Sequence, residues 1–245
     1  MLFNSYIFIL AFLPLLLLVY FLLGHFNLRK LQQTVLILAS LYFYAYFNYS
    51  YLYIICVSIL FNYAVSKLLL RGIKIGEWEL KPLLLVLGIA ANLGLLFYFK
   101  YFDFFIKNIN VVFNTSYPLK NILLPLGISF FTFQQLSYVI DSYRGETRGH
   151  SFLDYTLFVS FFPQLVAGPI VLYKEVIPQF QEEKNRRLDF DNLAHGAYIF
   201  AIGLAKKVLI ADVLGKAVNW LCIIPVSFLA GDYHSNFLLY FPVIF

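Results

Sequence analysis

Charge is scarce in this chain. Only 13% of its 245 residues are Asp, Glu, Lys or Arg, against about a quarter in an ordinary soluble domain. So few charges cannot coat a soluble globule, and 61% hydrophobic content excludes a disordered chain. Cysteine is nearly absent. Cys56 and Cys222 both lie in apolar stretches with no histidine beside them, which excludes a disulfide scaffold, a thiolate metal site and a thiol nucleophile. Histidine is rare too, with four copies, and no Ser/His/Asp constellation, metal-ligand spacing or glycine-rich phosphate loop can be assembled. No Lys or Arg precedes Arg29, so residues 1–24 lack the basic start of a signal peptide and read as a retained first span. The net charge of +5 does not point to nucleic acid, because no dense basic run is interleaved with stacking aromatics.

What the chain has instead is long apolar runs. They predict an all-α polytopic membrane protein of about six to seven membrane helices, one of them broken or re-entrant. The first four spans fall at about residues 3–23 (with Pro14 as a kink), 31–47, 51–70 and 82–99. A polar stretch carrying Lys100, Asp103 and Lys107 follows the fourth. The loops after spans one and three are basic and the loop after span two is uncharged, which sets the N-terminus outside the cytoplasm. Tyr42, Tyr44, Tyr46, Tyr49, Tyr51 and Tyr53 bracket the uncharged loop and read as an interfacial belt.

The second half is more broken. On residues 121–141, Gln134, Ser137 and Asp141 fall at i, i+3 and i+7, one helix face. Such a stripe faces protein or water, so helix–helix contact and cavity lining are both open. Residues 152–173 are interrupted at Pro163-Gln164 and Gly168-Pro169, which predicts irregular backbone tolerated only inside protein or around a cavity. Residues 174–192 read as a polar surface stretch with an amphipathic piece. Asp191 or Asn192 would then cap a helix over about 193–214, which has a small-residue face of Ala197, Ala201 and Ala205 and the adjacent Lys206 and Lys207 inside it. Asp212 and Lys216 are spaced as an i, i+4 pair. His25 and His150 read as solvated loop residues, His234 as part of a polar turn and His195 as an interfacial residue of a first turn. Asp103 and Asp141 are the carboxylates nearest apolar centres. The last apolar run, 237–245, is too short to span.

Three blocks carry a family resemblance. Leu-Pro-Leu-Gly-Ile-Ser-Phe-Phe-Thr-Phe-Gln at 124–134 runs on to Tyr138 and to Asp-Ser-Tyr-Arg-Gly at 141–145. Phe-Phe-Pro-Gln-Leu-Val-Ala-Gly-Pro-Ile at 161–170 is followed by Tyr173 and Pro178-Gln179. Gly-Leu-Ala-Lys-Lys-Val at 203–208 precedes Ala211-Asp212. With Leu2–Tyr6 and Phe99-Lys100-Tyr101, these resemble the membrane-bound O-acyltransferase family, in the bacterial branch of alginate and peptidoglycan O-acetyltransferases.

The resemblance implies acyl transfer to a hydroxyl of a polysaccharide, in the bacterial cytoplasmic membrane. It implies no resident cofactor and no metal. The donor substrate, such as acetyl-CoA or an acyl carrier, comes from the cytoplasm. The lipid bilayer, the polysaccharide acceptor and an extracytoplasmic acetyltransferase-like protein are the implied partners. Gln134, Asp141, Gln164, Gly168 and Pro169 are the expected cavity-lining residues, and Lys206 and Lys207 the expected contacts to donor or headgroup. The family's histidine-bearing region, with the acidic-aromatic motif before it, has no counterpart here, so no catalytic residue is carried over. The expectation is a single membrane domain over 1–245, an incomplete bundle that is not catalytic alone. It comprises N-terminal spans (1–110), a signature region (118–230) and a truncated or divergent tail (231–245). A non-catalytic remnant or scaffold, or a transporter subunit, are the other readings.

Overall fold

The computed structural model describes residues 3–72, 74–75, 78–147, 150–168 and 171–223. It is helical apart from one antiparallel rung, β1 (Lys74–Ile75) on β2 (Trp78–Glu79). Two compact units are formed, one ending at Leu188 and one beginning at Asp189.

In the first unit, a π-turn at Phe8–Phe12 leads into α1 (Leu13–His25). Proline at position 14 has no N–H and crowds the carbonyl four residues back. The widened turn just before it, in which the Leu13 N–H donates to the Phe8 carbonyl, is where the helix absorbs that crowding. Helix α2 (Arg29–Phe47) is joined to α3 (Tyr49–Arg71) through Asn48 alone, whose side chain accepts from the Ser50 N–H. Helix α4 (Lys81–Leu96) passes through a second π-turn, Phe97–Tyr101, into α5 (Phe102–Phe113). The expected polar stretch after residue 99 is therefore helix. Its Asp103 caps nothing in the helix but accepts from the Lys120 N–H of the returning strand of chain. By length and composition, Phe8–His25, Tyr49–Arg71 and Lys81–Phe113 can each cross a membrane. Helix α2 is long enough but carries Gln32 and Gln33, both buried.

Helix α6 (Ile128–Arg144) starts after Gly127 and ends at Gly145. There the Glu146 N–H donates to the Asp141 carbonyl and the Gly145 N–H to that of Ser142, the closure a left-handed glycine permits. The Asp-Ser-Tyr-Arg-Gly block is thus a helix stop. The broken segment is present as expected: α7 (Phe152–Ser160), α8 (Phe162–Ala167) and α9 (Tyr173–Gln181) replace a single span. The break falls at Phe161, not Pro163, since proline is tolerated in the first turn of α8.

Helices α3, α4, α6, α7 and α9 enclose a core of Ile55, Ile59, Phe131, Tyr155, Phe158 and Ile177. Apolar contact alone gives membrane helices little preference for one another over lipid, so close approach and hydrogen bonds decide. Gly88 supplies the approach: a Cβ there would stand 3.1 Å from Val139 and 3.2 Å from Val65.

The described residues of the second unit form one run: α10 (Phe190–Ala205), a π-turn at Lys206–Ala211, and α11 (Asp212–Ile223). Its cap is Asp189, which accepts from the Asp191 and Asn192 N–H groups, so the cap lies two to three residues earlier than expected. The runs at 224–230 and 237–245 lie outside the described residues, as does His234.

Candidate functional site

The interior of the first unit carries far more polar side chain than a pure apolar bundle needs. One group is helix–helix glue. Asn62 of α3 and Asn92 of α4 exchange amide hydrogen bonds at 3.2 and 2.6 Å. Gln135 of α6 accepts from Asn62 at 2.5 Å and from Ser58 at 2.6 Å. All four are buried.

A second group centres on Asp154. Ser151 caps α7, accepting from the Asp154 N–H at 3.1 Å and donating to the Asp154 carboxylate at 2.7 Å. The other carboxylate oxygen accepts from Gln33 of α2 at 2.7 Å. Charge-assisted bonds of this kind are among the strong ones, and they let a carboxylate sit at 7% exposure. Beside it, His150 stacks on Tyr173 with ring centres 4.1 Å apart, and Tyr138 and Tyr155 pack at 4.3 Å. Lys67 of α3 donates to the His150 carbonyl at 3.0 Å and lies 5.0 Å above the Tyr63 ring. Burial holds the His150 pKa below its ordinary value; Asp154 pulls it back up and Lys67 pushes it further down. His150 is therefore not the solvated loop residue expected. The Asp154 carboxylate accepts from Gln33 and Ser151, and the buried His150 Nδ1 has no hydrogen-bond partner in the structure.

The third group lies where the backbone breaks. Ser40 of α2 accepts the otherwise free Phe162 N–H at the start of α8 at 3.3 Å. Gly127, at φ +68°, sits so close to α8 that a Cβ would be 2.3 Å from the Leu165 carbonyl oxygen. On α6, which packs against α7 and α8, Thr132 Oγ1 and Gln134 Oε1 are buried without a hydrogen-bond partner in the protein. So are Tyr155 OH, Ser160 Oγ, Gln164 Nε2 and Tyr173 OH from α7, α8 and α9. Buried polar atoms nearly always find partners, so these donors and acceptors are open to ordered water or to polar groups of a ligand.

The residues expected to line a cavity fare unequally. Gln134 and Gln164 are buried and carry unmet polar atoms. Gly168 packs on Gln164, a Cβ there falling 2.7 Å from the Gln164 α-carbon. Asp141 is half-buried at the end of α6. Pro169 lies outside the described residues. The stripe splits: Ser137 donates to the Gln134 carbonyl of its own helix, and the helix–helix contact falls to Gln135, which was not singled out. Among the described residues, Asp154, not Asp103 or Asp141, is the carboxylate set most deeply in the interior. In the second unit, Lys207 donates to both Asp212 oxygens at 2.6 Å. That pair takes the place of the expected Asp212–Lys216 pair, because a π-turn makes residues five apart neighbours. Of the tyrosine belt, Tyr42, Tyr46, Tyr49 and Tyr53 are exposed, while Tyr44 is buried and Tyr51 donates to the Leu123 carbonyl. Among the described residues no three His, Cys, Asp or Glu side chains converge as metal ligands.

The profile of MBOAT, the membrane-bound O-acyltransferase family, matches residues 95–245. The chain is 42% identical to the peptidoglycan O-acetyltransferase of Helicobacter pylori, over 86% of this chain and 45% of that protein. It is 36% identical to "Probable alginate O-acetylase AlgI" of Pseudomonas aeruginosa, over 89% and 41%. The protein of the same name from Pseudomonas putida is 35% identical, over 89% and 44%. The chain thus spans less than half the length of these curated relatives. No solved structure matches it.

Proposed function

The chain belongs to the membrane-bound O-acyltransferase family, and from that premise we propose that it forms the N-terminal portion of a membrane O-acetyltransferase acting on a cell-surface polysaccharide. The observation that carries the reading is the polar interior around the α7–α8–α9 break, in a chain whose relatives are named for acetyl transfer to peptidoglycan and alginate. In this reading the unmet polar atoms of Gln134 and Gln164 form part of the wall of the reaction chamber, and Gly168 keeps the chain close to Gln164. Acetyl transfer joins the acceptor hydroxyl oxygen to the acetyl carbonyl and releases the donor's leaving group with the hydroxyl proton. That proton needs a base. In this reading the base is a histidine of the family's histidine-bearing region, which has no counterpart in these residues, and these residues alone do not catalyse.

The finer parts of the reading are these. Lys206 and Lys207 meet the anionic donor or headgroups. The protein sits in the bacterial cytoplasmic membrane with its N-terminus outside the cytoplasm. The donor is an acetyl thioester, and an acetyl-transferring protein on the outer face assists. The test is transfer of radiolabelled acetyl groups to polysaccharide in membranes holding either this chain or a longer protein that contains it. The longer protein is expected to transfer, and its Gln164→Ala form to do so at least tenfold more slowly. This chain alone is expected to be silent. Transfer by this chain alone, or none by the longer protein, overturns the reading.

A further inference from the structure

Three buried polar side chains of α2 each tie down a different point of the chain that replaces a single span. Gln33 donates to the Asp154 carboxylate, in the first turn of α7, at 2.7 Å. Ser40 accepts from the Phe162 N–H, at the break between α7 and α8, at 3.3 Å. Gln32 donates to the Arg186 carbonyl, in the turn after α9, at 3.1 Å. Gly24 of α1 leaves room for that carbonyl, since a Cβ would stand 2.2 Å from its oxygen. The partners lie 121, 122 and 154 residues away in sequence. One helix thus fixes the start of α7, the start of α8 and the turn that follows α9.

The ties share one face. At about 100° per residue, every buried residue of α2 falls within an arc of about 140°. Gln33 and Ser40 lie near its middle and Gln32 at its edge. Helices α7, α8 and α9 hold only nine, six and nine residues. Pieces this short have little apolar face to hold them, and in a bilayer apolar contact favours protein scarcely more than lipid. Directional hydrogen bonds therefore set where they sit. Phe162 begins the turn that carries Gln164, the residue of the proposed chamber wall. A shift of α8 away from Ser40 moves that wall.

We propose that Gln32, Gln33 and Ser40 are positioning residues for acetyl transfer. They fix α7, α8 and α9 in place, so that the acceptor hydroxyl rather than water meets the acetyl group. The proposal rests on the acetyltransferase reading of this chain. In a loosened chamber water attacks the acetyl carbonyl in place of the acceptor. The bond from the carbonyl carbon to the donor's leaving group breaks, a bond to the water oxygen forms, and a water proton goes to the leaving group, giving acetic acid.

The test counts both products. A longer protein that contains this chain is purified, reconstituted with polysaccharide and radiolabelled acetyl-CoA, and assayed for acetyl on the polysaccharide and for free acetate. S40A, Q32L and Q33E are expected to raise the ratio of acetate to transferred acetyl by about threefold or more. That ratio does not depend on how much protein is folded, so mere instability leaves it unmoved. Q33E sets two carboxylates against each other, whereas Q33E/D154N exchanges the amide and the carboxylate and should bring the ratio back to within about twofold of the wild type. In this chain in nanodiscs, S40A should speed amide exchange over residues 161–167 by about tenfold or more, with α4 unchanged. A ratio unmoved in these variants, or not recovered in Q33E/D154N, overturns the proposal and leaves the acetyltransferase reading intact. Unchanged exchange in S40A overturns it as well. No transfer by the wild-type longer protein overturns the reading itself, and the proposal with it.

Discussion

Asp154 shows how one residue can serve two elements. Its carboxylate closes the cap of α7 through Ser151 and ties α2 to α7 through Gln33, 121 residues away. Replacing Gln33 by Leu removes one partner of a buried charge, and the lost bond should cost about 1–3 kcal/mol in denaturant or thermal unfolding. The cap was not singled out in the sequence, although Ser151 three residues before Asp154 is the spacing an N-cap uses. Nor was its partner, because nothing local to Gln33 distinguishes it from Gln32, which points instead to two backbone carbonyls. His150 makes a second prediction. Folding lowers its pKa, so around and below its ordinary value of about 6.5 the unfolded chain binds the extra proton. The neutral ring's contribution to stability is then complete above that pH and is lost as pH falls through it toward the folded value. Melting temperatures measured from pH 8 down to 5 should fall more steeply for the wild type than for H150Q. Equal slopes would mean that the stacked ring is not a titrating group of consequence.

At the scale of elements, apolar runs predicted the helices well. Spans expected at 31–47 and 51–70 are observed as Arg29–Phe47 and Tyr49–Arg71. One miss has a clear cause. Charge and amide groups interrupt α5 with Asp103, Lys107, Asn108 and Asn110, and so a helix that continues α4 read only as a polar stretch. Buried breaks were easier, because glycine and proline announce them. Gly127 allows a sharp test. Alanine there must hold a positive φ and displace the Leu165 carbonyl, and G127A should destabilise by more than about 1 kcal/mol and loosen α8 from α6. G72A is the control: it has the same positive φ, +63°, but nothing within 4 Å of the new Cβ, and should cost less. If the two variants unfold alike, the close approach of α6 and α8 contributes nothing.

At the scale of the molecule, composition excluded a soluble fold, and three motif blocks pointed to the family that the profile match and the relatives then established. What those blocks do physically was harder to foresee. One ends α6, one breaks the chain into α7, α8 and α9, and one contains the start of the last π-turn. The polar interior stayed hidden because its members come from α6, α7, α8 and α9 and share no sequence period. The proposed orientation can be measured on intact cells with single cysteines in a C56S/C222S background. A cysteine at Asn48 should react with a membrane-impermeant maleimide and one at Lys30 should not, whereas the reverse pattern would invert the topology.

The π-turns at 8–12, 97–101 and 206–211 all lie within or beside long apolar helices. Each holds one residue more than a regular turn, so everything downstream is rotated by about 100° relative to an unbroken helix. These helices are thus out of phase with themselves. A face read along the first half continues, after the turn, on a different set of heptad positions. Deleting one residue from 208–211 would restore the phase, bring Asp212 within a regular turn of Lys207, and swing the whole of α11 a quarter-turn or more about its axis while leaving that ion pair in reach.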